Sequence, residues 1–134
     1  DVADLESEAL HDYWLGPTRE TENKALSFEH GERTIADGAR VRRSSDHFVL
    51  HGRGRAGVLV ARLVSDEDSA SPGGAPPEVE ASTGGASLGK ARLRQDGWTE
   101  AEWEIPALAG DVEVVVTALS AARFGSAHYW LYMH

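Results

Sequence analysis

The sequence predicts an all-β fold: an antiparallel sandwich of roughly seven or more short strands, with at most one short helix near the N-terminus. Three observations predict it. Gly97 to Pro106 alternates with period 2, so that Thr99, Ala101, Trp103 and Ile105 point one way and Trp98, Glu100, Glu102 and Glu104 the other. One face accepts Trp and Ile while the other carries three carboxylates, the pattern of an antiparallel sheet wet on one side. Similar runs recur from Ala25 onward at roughly 8–12-residue intervals, with Gly, Pro, Asp and Ser between them.

Taken in order, residues 1–24 read as an irregular or extended entry. Leu5, Ala9, Tyr13 and Trp14 fall at helical spacing and Gly16-Pro17 would stop a helix, yet His11 to Leu15 reads equally as a short strand. Thr18 to Lys24 is polar and reads as a loop. Leu26 and Phe28 mark a strand ended by His30-Gly31. Arg33–Ala36 and Ala39–Arg43 flank Asp37-Gly38, a hairpin-turn dipeptide, and Ser44-Ser45-Asp46 reads as a second turn. His47 to His51 is a strand with Phe48 and Leu50 on one face and His47, Val49 and His51 on the other. Gly52 to Gly57 is a turn; its Gly-x-Gly lacks the helix and further glycines of a phosphate-binding loop. Val58 to Val64 is apolar nearly throughout and belongs in the middle of a sheet. Residues 65–77 combine acids, Ser, Gly and Pro as a mobile surface loop. Glu78–Ser82 and Leu88–Leu93 are short strands around Thr83-Gly84-Gly85. The Trp98 strand, a turn at Leu108 to Asp111, the β-branched run Val112 to Leu119 and the closing strand Ala127 to His134 complete the chain.

A length of 134 residues suits one domain spanning 1–134, with enough chain to bury a core. There is no cysteine, which excludes a disulfide framework and thiol chemistry and leaves both the cytosol and the exterior open. No apolar run approaches the ~20 residues of a membrane-spanning helix. The chain begins with Asp1, as expected of a processed protein or a module of a longer one. The net charge of −9 is unevenly spread: residues 1–32 hold nine acids and two bases, residues 33–64 two acids and seven arginines, and residues 65–134 eleven acids and four bases. The total disfavours nucleic acid, which requires a basic footprint. The arginine-rich middle reads either as a local patch or as the internal partner of its acidic flanks.

From His47 onward the order of strand types resembles a known family. A strand like Val58 to Val64 leads to Glu78-Val79-Glu80-Ala81 and a Gly turn. Leu88-Gly89-Lys90-Ala91 follows, then Gly97-Trp98 through Ile105-Pro106, then Val112 to Leu119. Residues 47–134 thus resemble the jelly-roll accessory modules of bacterial secreted and carbohydrate-active proteins. The resemblance implies a jelly-roll-like sandwich, a carbohydrate partner and an extracellular setting. Residues 1–46 do not fit it, and fold alone does not define a ligand.

The closing strand carries the main candidate site. Alternation puts Tyr129, Leu131 and Met133 on one face and His128, Trp130, Tyr132 and His134 on the other. Sugars stack their C–H faces on such rings, with Tyr O–H and indole N–H bonding at the edge. Trp98 and the three glutamates extend this surface. Two readings stand: Trp130 and Tyr132 form an exposed platform, or they are the buried face. His47 and His51 share a strand face and are metal candidates through imidazole nitrogen, although no His-x-His or His-Glu-x-x-His element accompanies them. A structural Ca²⁺ would instead use the acids of Asp66-Glu67-Asp68 or of Asp1 to Glu8. Glu8, His11 and Asp12 form the densest titratable cluster and offer an acid–base pair, with no nucleophile motif beside them.

The reading carried forward is a non-catalytic carbohydrate-binding module with Trp130, Tyr132, His128 and Trp98 at its site. One alternative is an interaction domain packing on a neighbouring domain or a second copy of itself. The other is a small enzyme using Glu8 and His11.

Overall fold

The chain folds as two five-stranded antiparallel sheets laid face to face, in a computed structural model that describes residues 2, 5–16, 21–30, 32–42, 45–65, 74–95, 97–119 and 123–134. In chain order the elements are α1 (Leu5–Leu10), β1 (Trp14–Leu15), β2 (Thr21–His30), β3 (Arg33–Arg42), β4 (Ser45–His51), β5 (Gly57–Ser65), β6 (Glu78–Thr83), β7 (Ala86–Arg92), β8 (Gly97–Ile105), β9 (Asp111–Ala118) and β10 (Phe124–Met133). One sheet has the order β1-β4-β9-β6-β7 and the other β2-β3-β10-β5-β8; they are called the first and second sheet below. No described helix is long and apolar enough to cross a membrane.

The main core lies between the sheets. Phe48 and Leu50 of β4, Val79 and Ala81 of β6, and Val114 and Val116 of β9 face Leu59, Ala61 and Leu63 of β5, Ala101, Trp103 and Ile105 of β8, and Phe124 of β10. These are the apolar halves of the period-2 patterns, so strand alternation accounts for the packing. The expected faces of β4 and β8 are present: Phe48 and Leu50 are buried, and Glu100, Glu102 and Glu104 are exposed. Tyr129 and Leu131 of β10 pack against the core, again as expected.

Three expectations need correction. Asp37-Gly38 is not a turn. β3 runs straight through it, with Leu26 opposite Asp37 and Ala25 opposite Gly38, so the hairpin turns between His30 and Arg33 instead. A ten-residue ladder outweighs the local preference of one dipeptide, and Gly38 is not among the glycines with positive φ. The polar segment Thr18 to Lys24 is strand from Thr21, held by the same ladder.

Ser45-Asp46 is not a turn either. Both residues begin β4, and Asp46 is fully buried. An unpaired buried carboxylate costs several kcal/mol; here three hydroxyls satisfy it. Tyr13 donates at 2.6 Å to one oxygen, while Ser126 and Tyr129 donate at 2.7 and 2.5 Å to the other. Asp46 thereby joins the first sheet to β10 of the second and to the N-terminal segment. That segment has one helical turn and a half in α1, then turns through Asp12, whose φ of 46° is a conformation Asp tolerates. Of the 65–77 loop, Ser65 ends β5 and residues 66–73 lie outside the described residues.

The second sheet bends back over its own outer face. β3 pairs with β10 only from Arg40 to Arg42, then diverges, and the β2–β3 hairpin arches over until β2 touches the opposite edge strand β8. Leu26, Phe28 and Ile35 close over Ala39, Val64, Trp98 and Ala127 as a second, smaller core. An irregularity between Ser126 and His128 puts one extra residue into β10. It lets Ser126 reach inward to Asp46 while Ala127 joins the outer cluster.

Candidate functional site

The hairpin covers only one end of the second sheet's outer face. The remainder is set by three registered rows across β10, β5 and β8: His128–Arg62–Glu100, Trp130–Val60–Glu102 and Tyr132–Val58–Glu104. The face therefore carries two aromatic rings and a histidine along β10, an aliphatic floor along β5 and carboxylates along β8. The aromatic and acidic columns lie two strand spacings apart, roughly 10 Å. Tyr132 is 59% exposed, Trp130 is half-buried, and the three glutamates are exposed.

The covered end of this face is an ionic network. Alternation along β3 turns Asp37 toward β10, where Arg62 Nη1 bonds it at 3.0 Å and His128 Nε2 at 2.8 Å. Arg62 gives its Nη2 to Glu100 at 2.9 Å. Burial works against the Asp37 charge, but the Arg62 and His128 contacts outweigh it and hold the carboxyl below its usual value. Burial likewise opposes the charge on Arg62, and Glu100 and Asp37 more than restore it. Trp130 rests on this network: its ring stacks on His128 at 5.1 Å and 18°, and the Arg62 guanidinium lies 5.1 Å from its centroid. His128 and Arg62 occupy the row next to Trp130 on one side and Tyr132 the row on the other.

Trp130, Tyr132 and His128 thus share the outer face that alternation assigned to them. Trp98 belongs to the same face but is not available on it. It is 2% exposed, its ring meets Phe28 edge-on at 5.4 Å, and its indole N–H donates to the Ile35 carbonyl at 2.9 Å. The expectation of a solvent-facing Trp98 is corrected for one reason: the arch of β2–β3 adds a third layer there, which alternation in β8 cannot reveal. Arg62 and Asp37 were missed as members of the site. Arg62 was legible as the one charge inside an apolar strand; Asp37 was hidden by its reading as a turn.

His47 and His51 do share the outer face of β4, with their rings engaged elsewhere. His47 contacts Ser45 Oγ through Nε2 at 2.8 Å and Glu113 through Nδ1 at 3.2 Å, and Trp14 of β1 stacks on it at 3.5 Å. His51 meets Asp111 at 3.0 Å; that carboxylate and the Leu10 carbonyl raise its pKa. Among the described residues no group of three or more His, Asp or Glu side chains is placed to hold a metal ion. Asp66-Glu67-Asp68, Asp1 and Asp4 lie outside the described residues.

A cleft of about 450 Å³, its open mouth included, runs along the β4–β10 edge of the sandwich under α1. Phe48, Leu50 and Leu59 form its depth, and Glu8, His11 and Trp130 are among its lining. Glu8 is paired with Arg40 at 2.9 Å, and His11 Nδ1 donates to the Val49 carbonyl at 2.9 Å. The two residues proposed as an acid–base pair are therefore brought to one cleft but are each held by a structural partner. Of the seven arginines in the middle of the chain, Arg40 and Arg62 pair with acids inside the molecule.

No family model matches the chain, and no curated protein matches it in sequence. Solved structures do match in fold. The CBM22-1–GH10 modules of Clostridium thermocellum endo-1,4-β-D-xylanase 10B, complexed with xylohexaose, superpose with a TM-score of 0.57 at 14% identity over 91% of this chain and 26% of that one. The chain thus spans about a quarter of that xylanase chain. The CBM36-1 domain of a multidomain xylanase from the hindgut metagenome of Trinervitermes trinervoides gives 0.53 at 10% identity, over 91% of this chain and 96% of that one. A CBM61 module in complex with β-1,4-galactotriose gives 0.52 at 11% identity, over 91% and 88%. At these identities the likeness is one of fold: this chain has the jelly-roll-like sandwich of carbohydrate-binding modules.

Proposed function

We propose that the protein is a non-catalytic carbohydrate-binding module that takes its ligand on the outer face of the second sheet, through Trp130 and Tyr132. One observation supports this most: Tyr132, 59% exposed, and Trp130 stand two residues apart on the open part of a face whose other end is sealed by the β2–β3 hairpin. An exposed tyrosine and a half-buried tryptophan beside polar groups match what a sugar requires, a flat apolar ring for its C–H face and acceptors at its hydroxyl edge. Glu102 and Glu104 supply acceptors across the Val58–Val60 floor. The Asp37–Arg62–His128 network steadies Trp130 before a ligand arrives, which lowers the ordering cost of binding. The fold likeness to modules solved with xylohexaose and β-1,4-galactotriose points to the same class of partner. We place the protein outside the cell, as a module beside a neighbouring domain.

A glycan array run with and without Ca²⁺ tests this. Binding to one family of oligosaccharides is expected, and a cation requirement would reveal the structural Ca²⁺ that the acidic segments suggest. An array on which no glycan binds under either condition would contradict the proposal.

A further inference from the structure

The open face carries more negative charge than the hydroxyls of a neutral sugar call for. Glu102 and Glu104 point outward from β8 opposite Trp130 and Tyr132, and neither pairs with a cation among the described residues. Arg62 is the one cationic guanidinium in the three rows, and it is committed to Asp37 and Glu100. The surface thus presents two aromatic rings, an aliphatic floor and two uncompensated carboxylates, in a molecule of net charge −9.

We infer that the preferred ligand of this face is a cationic amino-sugar chain, an oligosaccharide of protonated glucosamine-type residues, rather than a neutral or acidic glycan. The inference rests on the sugar-binding reading above and names its substrate class. A glucosamine ring keeps the C–H face that stacks on Trp130 and Tyr132. Its ammonium group is an equatorial substituent, so a ring stacked at the β10 side of a roughly 10 Å wide face with its C2 edge turned across β5 carries that group toward the carboxylates. An ammonium there makes charge-assisted hydrogen bonds to Glu102 and Glu104 and is attracted to the aromatic faces as well. A uronic acid chain meets the same carboxylates as a repulsion. The overall negative charge speeds the approach of a cation and slows that of an anion.

Exposed ion pairs are individually weak and salt-screened, so the preference is graded. Calorimetric titration of the whole protein in mildly acidic, low-salt buffer is expected to give about tenfold tighter binding of a glucosamine hexamer than of cellohexaose or an N-acetylglucosamine hexamer. The preference should disappear in Glu102→Gln/Glu104→Gln and at high salt, while Trp130→Ala/Tyr132→Ala should lose all three ligands. Glu102 and Glu104 are exposed and pair with no cation among the described residues, so the Gln variant should fold as wild type does, and a thermal melt verifies that. Equal or tighter binding of cellohexaose overturns the inference, as does a preference that survives Glu102→Gln/Glu104→Gln. Oligolysine displacing the glucosamine hexamer from the aromatic double variant would show attraction by net charge alone and also overturns it. If neutral oligosaccharides bind through Trp130 and Tyr132 without amine preference, only this inference fails; if no oligosaccharide binds at all, the proposed function fails with it.

Discussion

Trp98 and Trp103 sit on opposite faces of β8, and each has its own core. Trp103 is 3% exposed between the sheets with its indole N–H on the Gly89 carbonyl at 3.1 Å, and Trp98 is 2% exposed beneath the hairpin. Truncating either ring leaves a cavity, so Trp98→Ala and Trp103→Ala should each cost about 3–5 kcal/mol in a urea titration. A Trp98→Ala loss below about 1 kcal/mol would mean the hairpin does not cover it. Asp37 makes a second prediction. Its carboxyl is depressed on folding, so its contribution is present above the unfolded value and lost as pH falls through the folded one. Asp37→Asn should therefore be less stable than wild type near neutral pH, and the gap should close below about pH 4. Urea midpoints across that range measure it, and a gap independent of pH would contradict it. At this scale the sequence was legible wherever a side chain's fate follows from its own strand: the faces of Trp103, Glu102, Trp130 and Tyr132 are simple alternation. Trp98, Asp37 and Asp46 were not legible, because the residues that bury or bind them lie at least 25 positions away along the chain.

Among the elements, the β2–β3 hairpin has most influence on the site, since it seals one end of the face and supplies Asp37. Its straight passage through Asp37-Gly38 predicts a contrast between two glycines. Gly38 is in ladder conformation, and a Cβ there would meet nothing within 4 Å, so Gly38→Ala should be neutral or stabilise by up to about 1 kcal/mol. A type I′ turn would demand positive φ at that glycine and make the same change costly. Gly125, where β10 is clasped by β3 and β5, is the opposite case. A Cβ there would lie 2.5 Å from Val64 Cγ1 and 3.1 Å from Val41 Cγ2, so Gly125→Ala should cost about 1–3 kcal/mol. Thermal denaturation of the two variants decides it, and a destabilised Gly38→Ala would restore the turn. Asp-Gly is a strong local signal, but it is a statement about two residues; the pairing of Thr21–His30 with Arg33–Arg42 is a statement about twenty, and it prevails.

For the whole molecule, the two faces of the second sheet have different tasks. The inner face builds the core with the first sheet, and Asp46 ties the layers together by hydroxyl bonds from Tyr13, Ser126 and Tyr129. The outer face is divided: one end is closed by the folded-back hairpin, and the other remains open with Trp130, Tyr132, Val58, Val60 and the glutamates. That division turns a generic sandwich into one with an aromatic strip beside an aliphatic floor and a row of carboxylates. The sandwich was legible in the turn-punctuated alternation, and the strip in one strand; the closure was not, because it depends on β3 leaving β10 after three paired residues. The most direct test of the strip is calorimetric titration of wild type and Trp130→Ala/Tyr132→Ala with the best-bound glycan, alongside urea unfolding. The double variant should stay folded, since Tyr129 and Leu131 keep the inner face, and should bind about 100-fold more weakly or worse. A folded double variant that binds as tightly as wild type would contradict the account and move the site off this face.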